Sequence, residues 1–119
     1  MDKYTIHCTE AQTKKSFELG APLQRYTSIP NFAEVIEITT SEYYEIPTAE
    51  QMMEWLRNEG IHLSILYSRF RDLYNVQCFE FDDVYIRDED GAIKYFISYK
   101  QATLAAIDVA LEYLTNNKK

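Results

Sequence analysis

Apolar residues along this chain fall into distinct patterns, and each predicts a different element. Between residues 49 and 59, Ala49, Met52, Met53, Trp55 and Leu56 recur at helical spacing, while Glu50, Glu54, Arg57 and Asn58 take the opposite side. That is an amphipathic helix with one buried face. From Ile61 the period changes. Ile61, Leu63, Ile65 and Tyr67 alternate with His62, Ser64 and Leu66, which predicts a strand. Residues 99–115 return to helical spacing with only a narrow polar stripe of Gln101, Asp108, Glu112 and Thr115. The remainder has a small-residue side (Ala102, Ala106, Val109, Ala110) and a large one (Leu104, Ile107, Leu111, Leu114). A helix apolar over so much of its circumference has to touch two neighbours.

Helix punctuation sharpens these boundaries. Thr9-Glu10-Ala11-Gln12, Thr48-Ala49-Glu50-Gln51 and Ser98-Tyr99-Lys100-Gln101 each place a hydroxyl three residues before a glutamine. The hydroxyl accepts from a first-turn amide, and the glutamine reaches back to the amide of the cap. Gly20 and Gly60 stand where the first two helices stop. The first helix has only Ala11, Phe17 and Leu19 as apolar contacts and is expected at the edge of the fold, after a short strand over Tyr4–His7. A cap at Ser98 is therefore expected to weigh more than one at Thr9.

The segments between the helices are β-rich. Leu23–Tyr26, Val35–Thr39 and Tyr43–Ile46 are short extended pieces within an otherwise irregular first half, which holds all three prolines. Phe79 and Phe81 keep phase with Val84 and Ile86 only if one residue is inserted at Asp82-Asp83, as a bulge or a turn. Asp88-Glu89-Asp90-Gly91 predicts a hairpin turn, with a last strand over Ala92–Ile97. The expectation is one α+β domain over residues 1–119. Residues 47–114 form an α-β-β-β-α unit, its curved antiparallel sheet covered on one face by two helices. Residues 1–46 form an N-terminal β-α-β extension.

The helix-strand-strand-strand-helix order, with Ala102, Ala105, Ala106, Ala110, Leu111 and Leu114 along the last helix, resembles the double-stranded-RNA-binding domain fold. That resemblance implies RNA contacts from the first helix, the loop between the first two strands and lysines opening the last helix. Arg69 and Arg71 fall in the matching loop; the last helix opens Tyr99-Lys100-Gln101 with one lysine, and the first carries Glu50 and Glu54. Pro47-Thr48, Trp55-Leu56-Arg57, the strand Ile61–Ile65, and Tyr99, Ala102, Ala106, Ile107, Leu111, Glu112 and Leu114 also look like small uncharacterised proteins from phage and prophage regions of gut bacteria. The second resemblance covers the last seventy residues or so, with a fainter echo at Thr9–Gly20. It implies a shared fold and origin on a mobile element, and it carries over no functional residue.

Composition narrows function by exclusion. The net charge of −7 repels phosphate backbones, so nucleic-acid binding rests on a local patch at Arg69, Arg71 and Lys100. Ser68-Arg69-Phe70-Arg71 is where bases and an aromatic interleave, and its simplest reading is a solvated hairpin loop with Phe70 turned inward. The first ten residues lack an apolar signal region, and Leu104–Leu114 is too short and too charged to span a bilayer, so a cytoplasmic protein without membrane contact is expected. Cys8, Cys78, His7 and His62 lack metal-ligand spacing, and no metal or cofactor is expected. Cys8 precedes a helix start, where the dipole lowers a thiol pKa, but neighbouring His7 points to the other face of a strand. The acids from Asp82 to Asp90 do not match a calcium loop. Trp55 is the best hot-spot candidate for an interface.

The leading functional expectation is a non-catalytic accessory protein acting through protein–protein contact. Nucleic-acid binding is second, and a small enzyme with an unrecognised site is third. The excess apolar surface of the last helix also points towards a homodimer.

Overall fold

The structure, a computed structural model, describes residues 5–81 and 83–117, and in it each of the three start signals opens a helix. These are α1 (Glu10–Glu18), α2 (Ala49–Asn58) and α3 (Tyr99–Asn117). At α1 and α2 the capping box closes from both sides. The Gln12 and Gln51 amides donate to the threonine hydroxyls at 3.0 and 3.1 Å, and the glutamine side chains accept from the amides of Thr9 and Thr48 at 3.0 and 2.9 Å. At α3 the Gln101 amide donates to Ser98 Oγ at 3.1 Å. Gly20 and Gly60 follow α1 and α2 with φ of 95° and 90°, left-handed values that only glycine adopts without strain.

The five strands are β1 (Arg25–Tyr26), β2 (Val35–Thr39), β3 (Glu42–Glu45), β4 (Ser64–Ser68) and β5 (Leu73–Gln77). The extended pieces of the first half pair with one another as a three-stranded antiparallel sheet of order β1-β3-β2, so this region is more regular than its composition implies. β4 and β5 form a separate antiparallel hairpin. The α+β class holds, with two small sheets in place of one curved sheet.

The expected last strand is not continuous. Beyond β5 the chain turns at Phe79-Glu80 and comes back along the outer edge of β5, held by isolated bridges Gln77↔Tyr85 and Tyr74↔Phe96. Tyr74 and Phe96 exchange both backbone hydrogen bonds, at 2.9 and 2.7 Å. Arg87↔Ile93 closes a small hairpin around Asp88–Ala92, where Asp88 Oδ1 accepts from the amides of Asp90 and Ala92, both at 3.0 Å. The chain has reversed by Val84, whose carbonyl accepts from the Cys78 amide at 2.8 Å; the expected bulge or turn at Asp82-Asp83 falls on Asp82, which, like the Tyr4 start of the first strand, lies outside the described residues. His7 makes a single bridge to Thr48.

α3 is the hub. It lies along β4 and β5 and packs against both α2 and α1. Ala102, Ala106, Ile107 and Ala110 are completely buried on it, and Leu111 is nearly so. Leu56 of α2 is equally buried, a contribution of about 1.5–3 kcal/mol for one side chain. Its Ala49, Met52 and Leu56 face the core as the apolar pattern predicts.

α1 departs from expectation. Its buried face is polar: Gln12, Thr13 and Ser16 are buried, while Ala11 is exposed. Gln12 Nε2 donates to Leu104 O and to Asp108 Oδ1, both at 2.8 Å, and Thr13 and Ser16 hydroxyls donate to carbonyls of Thr9 and Thr13. With its donors so placed, a hydrophilic face enters the interior at little cost. α1 is integral and covers part of α3. Among the described residues, no helix is long and apolar enough to cross a membrane.

Candidate functional site

The candidate interaction residues divide among three places, with Lys100 in the first turn of α3. Arg69, Phe70 and Arg71 occupy the turn between β4 and β5, and Trp55 lies on α2. The turn is tight. Ser68 pairs with Leu73 across its base, the Asp72 amide donates to Ser68 O at 2.8 Å, and Asp72 adopts a left-handed φ of 54°. Aspartate is one of the few side chains that tolerates this region. Its carboxylate also accepts a short hydrogen bond from the Tyr67 hydroxyl, which holds that phenol above its ordinary pKa. So short a turn leaves its apex nowhere to fold back. Phe70 is fully exposed, which corrects the expectation that it turns inward.

The flanking cations differ. Arg69 is exposed, whereas the Arg71 guanidinium stacks 4.8 Å from the centre of the Tyr95 ring. Lys100 is exposed in the first turn of α3. A run of ring contacts, Tyr67 to Tyr74 at 5.3 Å and Tyr74 to Tyr99 at 6.0 Å, connects β4 through β5 to the start of that helix. Arg69, Arg71 and Lys100 are thus carried on neighbouring elements. Lys94 lies 5.5 Å over the Phe96 ring, a placement that no sequence pattern singles out.

β4 is an edge strand. Because Tyr74 directs its backbone groups to Phe96, Tyr67 opposite it makes a non-hydrogen-bonded pair with β5 and points its own N–H and C=O away from the hairpin. Leu66 and Tyr67 on this edge are 40% and 52% exposed. Residues 64–77 carry two bases, Arg69 and Arg71, against one acid, Asp72, in a chain of strongly negative charge.

Trp55 is half-buried and forms one wall of a groove of about 500 Å³ between α2 and residues 21–26. Tyr26 stands in the facing segment, Met52 contributes to the floor, and Glu45 and Glu54 are also part of the lining.

The thiols are poor chemistry. Cys8 is buried, its Sγ 3.8 Å from Thr48 O; burial first and the charge of Asp108 second push it up to about 12. Burial also raises Cys78. The helix start does not activate Cys8, since desolvation of the thiolate outweighs the dipole. His62 faces Glu80 at 3.4 Å, with the Glu80 carboxylate accepting from the His62 amide at 2.7 Å. Among the described residues, no three His, Cys, Asp or Glu side chains converge as a metal-ligand set. No family model matches the chain, and neither a curated protein nor a solved structure is similar to it.

Proposed function

We propose that the protein is a non-catalytic binding protein that works through protein–protein contact, with the β4–β5 hairpin as its contact element. Phe70 carries the reading. A phenylalanine fully exposed at the apex of a tight turn contributes nothing to the core, and its burial against a partner is worth about 1.5–3 kcal/mol. The flanking arginines, the exposed Leu66 and Tyr67 and the outer β4 edge extend the same surface, and arginine and aromatic residues are those that dominate interfaces. Two buried free cysteines suit a reducing cytoplasm.

Placing a photo-crosslinking phenylalanine analogue at position 70 in the native host tests this. A discrete crosslinked protein, lost when Arg69 and Arg71 are changed to glutamate, supports it. Crosslinks indistinguishable from those at exposed Glu112 on α3 refute it. Nucleic-acid binding is the second reading, favoured by the exposed Arg69, Arg71 and Lys100. The exposed acids Glu50 and Glu54 of α2 weigh against it.

A further inference from the structure

We propose that the groove between α2 and residues 21–26 binds a small organic cation: an alkylammonium or guanidinium group on a short apolar body. The site shares no residue with the β4–β5 hairpin and stands independently of the function proposed for it. Its volume of about 500 Å³ lies within the range typical of small-molecule pockets, roughly 300–1,000 Å³. That is far more than a bare metal or ammonium ion needs, so an apolar body must accompany the charge.

The lining selects the sign of that charge. Trp55 and Tyr26 offer ring surfaces, and indole is the strongest partner for a cation among the aromatic side chains. Pro22 and Pro47 contribute wall without any amide donor that an anion would need. Glu45 and Glu54 supply two carboxylates, and none of the lining side chains is basic. Neither carboxylate is in an ion pair among the described residues, where the bridges are Arg25–Glu42, His62–Glu80 and Arg87–Asp83.

The walls are also fixed in place. The Tyr26 hydroxyl donates to Glu45 Oε1 at 3.2 Å, and its ring packs edge-on against Phe32 with centroids 5.9 Å apart. On the other side Met52, only 2% exposed, anchors the helix that carries Trp55 and Glu54. An anion would meet two negative charges and, as side-chain donors, only the neutral carboxamides of Gln24, Gln51 and Asn58. A neutral apolar ligand would leave both carboxylates without a counter-charge.

Trp55 is the sole tryptophan, so intrinsic fluorescence reports on this groove directly. Titration with butylguanidinium is expected to give a saturable change with a Kd of about 1 mM, reasonable for so small a ligand. Butylurea, the neutral isostere, should bind roughly ten-fold more weakly or not at all, and Glu45→Gln/Glu54→Gln should weaken butylguanidinium by a similar factor with the far-UV spectrum unchanged. The Trp55 indole N–H resonance supplies a second readout on the wild-type protein alone, comparing the two ligands, should the double variant fail to fold. A non-saturable response, or equal responses to butylguanidinium and butylurea, overturns the proposal. So does saturable binding of an Ala-Arg-Ala peptide, capped at both ends, without binding of butylguanidinium, which would make the groove a peptide site.

Discussion

Replacing Gln12 with leucine tests whether α1 is a structural member or an appendage. Gln12 is 1% exposed and makes three hydrogen bonds: Oε1 accepts from the Thr9 amide, and Nε2 donates to Leu104 O and Asp108 Oδ1. Leucine approximates the volume but satisfies none of these. The bond to the carboxylate is the strongest in kind, yet Asp108 is exposed and water can replace part of it. With about 1 kcal/mol for each bond to α3 and about 0.5 for the lost arm of the capping box, less some gain from the extra apolar burial, the net loss is about 2 kcal/mol.

Urea unfolding followed by circular dichroism measures that loss directly. Gln12→Glu is the informative companion, because it keeps an acceptor for Thr9 while setting a second carboxylate against Asp108. Like charge raises the folded-state pKa of the introduced carboxyl above its unfolded value of about 4.3. The sign follows: the variant is best tolerated below that pH and loses stability as pH rises through the folded pKa. Gln12→Glu should be less stable than Gln12→Leu at pH 7, with the gap closing towards pH 4. A Gln12→Leu protein within about 0.5 kcal/mol of wild type, the range of an inconsequential surface change, would refute the reasoning and return α1 to the periphery.

Thr9→Ala should cost about 1 kcal/mol in the same assay and at least as much as Ser98→Ala, because the Thr9 cap positions the buried Gln12; a clearly larger loss at Ser98 would contradict this. Cys8 ties stability to alkaline pH. With its pKa raised to about 12, its contribution is complete below the unfolded value near 9 and declines by up to about 1.4 kcal/mol per unit as pH rises from there through 12. Cys8→Ala should flatten that alkaline slope in pH-dependent unfolding, and an unchanged slope would refute the assignment. Arg69→Ala/Arg71→Ala should fold normally, and the wild-type protein should bind double-stranded RNA no more tightly than about 10 µM at physiological salt, weaker than specific readers. Submicromolar, salt-sensitive binding abolished by that pair would favour the nucleic-acid reading.

Local chemistry was legible in the sequence wherever it is self-contained. The capping hydroxyls, the terminating glycines, the apolar face of α2 and the Asp88–Gly91 turn depend on near neighbours, and the structure has all of them. The polar burial of α1 was not legible. Whether Gln12 faces water or Leu104 O depends on a partner 92 positions away, and composition treats glutamine as a surface residue. The third strand of the core failed for a related reason: alternation reports which face a residue takes, whereas continuous pairing needs an unbroken register, and the slip at Asp82-Asp83 removes it. At the candidate site, sequence located the Arg69–Arg71 turn but not the outward aim of Phe70, which follows from turn length. The groove was invisible because its walls come from α2 and from residues 21–26, which no local pattern connects.

The central place of α3 has a consequence for how the chain reaches its native state. Residues 5–98 include two helices, two small sheets and most of the apolar side chains, yet α1, α2, β4 and β5 all pack against residues 99–117. During synthesis those earlier elements emerge with their contact surfaces bare, and the core they share with α3 cannot close until that helix has left the ribosome. Contacts such as Gln12 to Leu104 span most of the chain, and closing so many long loops at once slows the search. Folding of residues 5–98 thus waits for α3, and until it emerges the nascent chain depends on its negative charge and on whatever chaperones attend it to stay free of aggregation.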